Sequence, residues 1–172
     1  MWYVIQVRTG DELKIAERLK FEIKTDDEDF FVPLYERRRH RQGKWIKETR
    51  PLFPGYIFFK TEDAADLQIR LMKINAFKRI LKTGDSYTPI SPDEERFIRS
   101  LIGDDYVAVQ SVGVIEGDNI IVMQGPLRGL EGSIVKVDRH KRIAIIKTDF
   151  MGGAREIKVG LEVVDKRPAE DT

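Results

Sequence analysis

The stretch Arg50-Pro51-Leu52-Phe53-Pro54-Gly55-Tyr56-Ile57-Phe58-Phe59 limits the fold of this chain more than any other segment. Each proline fixes its own φ and pushes the preceding residue out of the helical region, and Gly55 permits a turn that a residue with a Cβ resists. The run that follows is apolar and aromatic and reads as a strand. Alternation divides Leu52, Phe53, Tyr56, Ile57, Phe58 and Phe59 between two faces, so about half of them must be core. The expectation is that one face holds a sheet together and that the other, with Tyr3 beside it, is a docking surface.

At 172 residues, with 41% hydrophobic and 34% charged residues, the chain suits one medium globular domain or two small ones. It has no cysteine, which excludes disulfides, thiolate metal sites and thiol nucleophiles and fits a reducing cytoplasm. The start, Met1-Trp2-Tyr3-Val4-Ile5-Gln6-Val7-Arg8, lacks the basic and apolar regions of a signal peptide, and no run is long and apolar enough for a membrane span. A cytoplasmic protein without membrane contact is expected. The net charge is +1, so any affinity for nucleic acid must come from local patches.

Residues Trp2 to Arg8 read as a strand, followed by a helix that Thr9 and Glu12 cap, with Leu13, Ala16, Leu19 and Ile23 on its core face. The acidic run Asp26-Asp27-Glu28-Asp29 ends it in a turn. A strand from Phe30 to about Arg38 leads to a hairpin tip at Arg41-Gln42-Gly43, and the second arm carries Trp45 and Ile46. After the proline block, Ala64, Leu67, Leu71 and Ile74 mark a helix, and a strand is expected around Phe77 to Leu81. Ser91-Pro92-Asp93-Glu94 starts a third helix with Phe97, Ile98, Leu101 and Ile102 inside and Gly103 as its stop. This order makes an α+β sandwich of a sheet with flanking helices.

Beyond Tyr106 no helical period survives. Short alternating runs at Asn119–Met123, Ser133–Val137, Ile143–Lys147 and Glu156–Val159 predict a small all-β barrel of the SH3-like kind. Gly125-Pro126 and Gly129 form its tight loop, Gly132 is expected to let the next strand bend, and Ile120, Val122, Ile134, Val135 and Val137 supply the apolar alternation. The domain boundaries are read as 1–106, a linker at 107–113, and 114–172.

Taken in order, the Trp2-Tyr3-Val4 start, the helix opened by Gly10-Asp11-Glu12, the Pro51-to-Tyr56 block and the Gly117-to-Val137 segment, which looks like a KOW motif, resemble the NusG/Spt5 family of transcription elongation factors. The resemblance spans Trp2 to about Val164. It implies an N-terminal NGN sandwich with an antiparallel-rich sheet, followed by a KOW barrel. It also implies that Tyr3, Phe53, Pro54 and Tyr56 contact the clamp helices of the largest RNA polymerase subunit, since aromatic anchors in apolar pockets dominate interfaces.

The most basic stretch of the chain holds Arg37, Arg38, Arg39, Arg41, Lys44, Lys47 and Arg50 against Glu36 and Glu48, with His40 and Trp45 among them. It reads either as a solvated hairpin or as a phosphate-contacting one. By the resemblance, Arg37, Arg38, Arg39 and Arg41 lie near upstream or non-template DNA; Asn75, which some family members pair with a Thr to read the non-template strand, stands before Ala76 here and reads equally as a helix C-terminus, so sequence-selective pausing is not expected. In the barrel, Asp138-Arg139-His140-Lys141-Arg142 forms a basic turn that Arg128, Lys136 and Arg155 extend into a candidate surface for a nascent RNA hairpin, with an ordinary charged hairpin as the alternative. Leu130 stands where relatives carry a Phe that docks a ribosomal protein, which weakens that partner here. Leu130, Ala76 and the basic turn make the chain more similar to the LoaP group of specialised antiterminators than to general members.

No catalytic constellation is present in the sequence. His40 and His140 are isolated, the acidic run has the character of a turn, and no phosphate-binding loop occurs, so neither enzyme activity, metal nor cofactor is expected. The expected state is a monomer.

Overall fold

A computed structural model describes residues 1–74, 82–83, 86–87 and 89–169. Its elements are β1 (Trp2–Gln6), α1 (Glu12–Glu22), β2 (Asp29–Phe31), β3 (Leu34–Arg41), β4 (Lys44–Pro51), β5 (Tyr56–Lys60) and α2 (Ala64–Leu71). They continue with the short β6 (Lys82–Thr83) and β7 (Ser86–Tyr87), α3 (Pro92–Ile102), and β8 (Val107–Ala108). The C-terminal strands are β9 (Ser111–Glu116), β10 (Asn119–Gln124), β11 (Ile134–Asp138), β12 (Ile143–Phe150) and β13 (Gly153–Arg167). They gather into two compact units, one of Met1–Pro33 with Phe53–Arg96 and the other of Leu34–Leu52 with Phe97–Thr172. The strand expected around Phe77 to Leu81 lies outside the described residues.

The first unit is built on the antiparallel sheet β1-β5-β2, with Tyr3 opposite Phe59, Val4 opposite Phe58 and Phe31 opposite Phe58. Because cross-strand partners share a face, Tyr3, Phe30 and Phe59 fall on one side and Trp2, Phe31 and Phe58 on the other. Ring contacts follow that division. Tyr3 stacks on Phe59 at 5.6 Å, whereas Trp2 meets Phe31 at 4.8 Å and Phe53 meets Phe58 at 5.4 Å. Ile57, Phe58 and Phe59 are all fully buried, so both faces of β5 are core and the expected exposed docking face of this strand is absent.

The proline block enters β5 through a tight turn. Tyr56 N–H donates to the Phe53 carbonyl at 3.2 Å, Pro54 holds the second position, and Gly55 at φ +88 holds the third. That is the residue pattern of a type II turn, in which the third position needs a positive φ. The Gly55 carbonyl then accepts from Val7 N–H at 2.7 Å, tying the turn to the end of β1.

Helix α1 departs from expectation at its start. Asp11, not Thr9, is the N-cap, and Glu12 turns back to accept from Gly10 N–H and is itself buried. Leu13 is 52% exposed and Phe21 92% exposed, while Ala16 and Leu19 carry the core face. In α2 the buried apolar residues are Ala64, Leu67 and Leu71, followed by Ile74, as the periodicity predicts, and Gln68 is buried beside them. A complete capping box opens α3, with Glu94 N–H donating to Ser91 Oγ and Ser91 N–H to the Glu94 carboxylate.

A buried ion pair closes the acidic turn. Arg70 grips both carboxylate oxygens of Glu28 at 2.8 and 2.6 Å and also donates to the Ile23 carbonyl at 2.6 Å. Thr61 Oγ1 donates to the same carboxylate at 2.9 Å, as does Thr25 Oγ1. Burial pushes the Glu28 carboxyl upward, but the hydrogen bonds from Arg70, Thr25 and Thr61 outweigh it and bring it down to about 2.

In the second unit, β3 and β4 form a long hairpin closed by Gln42 and Gly43, both at positive φ, and β3 pairs in parallel with β8 through Leu34–Val107 and Tyr35–Ala108. The barrel runs β10-β9-β13-β12-β11. Its long strand β13 pairs antiparallel with β12 up to Gly160 and parallel with β9 from Leu161 onward, so one strand serves both halves. Residues 107–113, read from composition as a linker, hold β8 and the start of β9. Gly132 sits uncrowded in the short 3-10 turn Glu131–Ser133 and does not bend a strand as expected. Gly160 is the critical small residue: a Cβ there would run into the Glu36 carbonyl of β3 and lie 3.3 Å from Gln110 Cα.

The first unit yields three predictions. Phe53→Ala should cost about 3–5 kcal/mol of folding free energy, while Tyr56→Ala, at a half-buried position, should cost clearly less; urea unfolding of both variants checks this. Because Glu28 is depressed in the fold, its contribution is complete above the unfolded carboxyl value of about 4.3 and is lost as pH falls from there through about 2. Glu28→Gln should therefore flatten the stability profile across that window. Arg70→Met, which strands a buried carboxylate, should cost about 3–5 kcal/mol near neutral pH.

Candidate nucleic-acid interface

The four candidate polymerase contacts do not form one surface. Tyr3 (9% exposed) and Phe53 (1% exposed) are core residues on opposite faces of the sheet, while Pro54 is exposed and Tyr56 half-buried. The cause is the β1–β5 register, which sets Tyr3 against Phe59 and Gln6 against Tyr56.

On the β3–β4 hairpin the charges are organised by one carboxylate. Glu48 lies opposite Arg37 and accepts from its Nε at 3.1 Å and from Arg50 Nε at 2.9 Å, with Arg39 Nε 3.7 Å away. Hydrogen bonding from Arg50, ahead of that from Arg37, holds the Glu48 carboxyl below its usual range despite partial burial. On the other face Lys47 Nζ meets the buried Glu36 at 3.0 Å. Of the candidate DNA contacts, Arg37 and Arg39 are thus engaged within the hairpin. Arg38 and Arg41, together with Lys44, show no ion-pair partner among the described residues. Asn75 lies outside those residues.

The barrel turn after β11 spans residues 139–142. Asp138 shapes it by accepting Lys141 N–H at 3.0 Å, and that bond holds the Asp138 carboxyl below its usual range. Arg142 closes the turn at φ +56, a left-handed conformation that favours glycine or asparagine, and its carbonyl accepts Leu161 N–H at 2.9 Å. The turn is joined to the hairpin by two contacts. Arg37 Nη1 donates to the Lys141 carbonyl at 3.1 Å, and Arg142 Cζ lies 3.6 Å from the centre of the Trp45 ring. A guanidinium on an exposed indole contributes about 0.5–1 kcal/mol.

Through these contacts the hairpin and the turn, separate in the sequence, present one basic surface. Arg139, His140 and Lys141 are exposed beside it, and Lys136 lies on the adjoining strand. Arg128 is exposed on the loop whose Leu127 N–H bonds Ser111 Oγ at 3.0 Å; Ser111 pairs with Leu161, so this loop sits at the same end of the barrel. Arg155 does not join them. It pairs with Thr148 near the far end of β12, about 16 Å along the strand from the turn, and its guanidinium lies 5.0 Å from the Phe150 ring. Leu130 is half-buried, with its N–H bonded to the Leu127 carbonyl.

Such a surface has the charge and exposure to meet phosphates. Among the described residues no group of three potential metal ligands occurs, and no helix is long and apolar enough to cross a membrane. An open cleft of about 630 Å³ in the same unit is lined by Glu36, Asp104 and Asp105 against Lys47 as its one cation, and has the wrong sign for a polyanion. Sequence reasoning noticed Trp45 but gave it no role, and missed Glu48 as organiser and Gly160 as the crossing point. The one signal for the first was an aromatic residue next to a hairpin tip among cations.

Comparisons with known proteins match this architecture. The family model for the transcription termination factor NusG matches residues 1–99, and the KOW motif matches residues 116–147. The NusG transcription termination/antitermination protein of Staphylococcus carnosus is 23% identical over 173 residues, covering 96% of this chain and 94% of that one. Its counterpart in Vibrio vulnificus is 27% identical over 174 residues, again with 96% and 94% coverage. A solved structure concerning domain interaction in Thermotoga maritima NusG shares the fold at a TM-score of 0.59 and 19% identity, covering 94% of this chain and 93% of that one. An NGN-like α/β region followed by a KOW β-barrel, with a family match across more than half its length, places the chain in the NusG family of transcription termination/antitermination factors.

Proposed function

We propose that this protein is a transcription elongation and antitermination factor of the specialised, LoaP-like kind. Its NGN domain, residues 1–106, binds RNA polymerase and favours processive elongation and terminator read-through. Its KOW domain, residues 114–172, is recruited to selected operons by a nascent RNA hairpin. The action is binding: a ligand with higher affinity for the closed, processive polymerase shifts an existing equilibrium toward it. The observation that carries the reading is the junction of the basic hairpin and the basic barrel turn through Arg37–Lys141 and Arg142–Trp45. A continuous cationic patch suits the phosphates of a structured RNA better than either short segment alone.

Polymerase contact in this reading falls to Pro54 and Tyr56, the accessible members of the proline block, because Phe53 and Tyr3 are committed to the core. Arg38 and Arg41 are the hairpin arginines left for upstream or non-template DNA. The half-buried Leu130 offers a small anchor to a ribosomal protein. A second reading, a general factor acting without a recruiting sequence, is favoured by the names of the full-length relatives.

In a gel-shift titration with a stem–loop RNA, Arg139→Ala, Lys141→Ala and Arg142→Ala combined should weaken binding and lower the salt slope by about 2–3. Unchanged affinity would remove the turn from the interface. In purified transcription, read-through of a terminator should rise only when the template carries the recruiting leader. Equal read-through with and without the leader would support the general factor. Polymerase capture should fall with Pro54→Ala and Tyr56→Ala while the variants keep their folded spectra.

A further inference from the structure

Trp45 is 54% exposed at the tip of the hairpin, although the unit has a barrel core in which to bury apolar surface. His40, opposite it across the hairpin, meets its ring edge-on at 5.2 Å, and the Arg142 guanidinium covers it at 3.6 Å. That separation is one at which planar groups stack. On the hairpin Arg38 shares the face of the ring, Arg41 and Lys44 follow at the tip on the opposite face, and Arg139 and Lys141 are exposed on the turn; none of them pairs with a carboxylate among the described residues. Arg142 reaches the ring from a turn position that favours glycine, so a backbone cost is accepted to keep a guanidinium there.

We infer that Trp45 is a stacking platform for an unpaired nucleobase, and that Arg142 marks the position the base takes. On binding, the base replaces the guanidinium on the indole face, and the released Arg142 moves to a flanking phosphate beside Arg139 and Lys141. A base inside a duplex is covered by its neighbours, so the ligand class is a single-stranded segment: the loop or tail of an RNA, or an exposed DNA strand. The inference rests on the nucleic-acid reading of the basic surface and adds to it a site that reads bases as well as phosphates.

The test uses the full chain, in which Trp2 is buried and Trp45 is the solvent-facing indole. Tryptophan emission is followed during titration at low salt with a uridine oligoribonucleotide, the matching thymidine deoxyoligonucleotide, and an abasic backbone of equal length. Base-bearing oligonucleotides should quench emission and bind about 5-fold or more tightly than the abasic one, and the arm that saturates first identifies RNA or DNA as the source. Trp45→Ala should remove that advantage, so that base-bearing and abasic strands bind it alike, and Trp45→Phe should keep most of the affinity while abolishing the quench. Arg142→Gln should keep the quench and lower the salt slope by about one. Equal affinity for base-bearing and abasic strands, or a quench that persists in Trp45→Phe, would overturn the platform while leaving the basic surface standing. Loss of the quench in Arg142→Gln would overturn the exchange, failure of all three strands to bind would overturn the platform, and failure of the stem–loop RNA to bind as well would overturn the nucleic-acid reading.

Discussion

The composite surface depends on one backbone crossing. Strand β13 passes the β3 backbone at Gly160, where any side chain would occupy the space of the Glu36 carbonyl. That approach, with the β3–β8 pairing, fixes the β3–β4 hairpin on the barrel. Everything at the far end of the hairpin follows from it: a long two-stranded ribbon is marginal alone, yet here its tip reaches the β11–β12 turn closely enough for Arg37 and Arg142 to bridge the two. The function proposed for the chain therefore rests on a glycine in a strand, a position where an absent side chain otherwise weakens packing.

Charge is distributed with the same division between scaffold and ligand. Glu48 holds Arg37, Arg39 and Arg50 in fixed positions, Glu36 holds Lys47, and Asp138 sets the barrel turn through a backbone bond. These three carboxylates shape the surface, while Arg38, Arg41, Lys44 and Arg139 are left facing outward. A net charge of +1 is compatible with a polyanion-binding patch because the hairpin and the turn together hold ten Lys and Arg against three carboxylates, and the balancing acidic residues lie elsewhere in the chain.

Much of the fold was legible where local chemistry and tertiary packing agree. The Ser91–Glu94 box, the Gln42–Gly43 turn, the apolar face of α2 and the run of barrel strands all carry short-range signals, and each formed. The misreadings have long-range causes. Thr9 has the right spacing for a cap, but Glu12 bonds Gly10 instead and Asp11 takes the cap position. Residues 107–113 look featureless because β8 gains its partner from β3, far earlier in the chain. Tyr3 and Tyr56 lie on opposite faces because Tyr3 pairs with Phe59, three residues from Tyr56, a register that pattern alone does not specify. Of the site, cation clusters were visible in the sequence, but not which cations are neutralised, nor that Trp45 and Arg142 meet.

The central claim is that hairpin and barrel turn act as one surface. Hydrogen–deuterium exchange on the full chain, with and without a stem–loop RNA that carries a single-stranded tail, tests it most directly. The account predicts that RNA slows exchange together at residues 38–45 and 138–142, with the same concentration dependence. Protection confined to the turn, with the hairpin unchanged at saturating RNA, would contradict it.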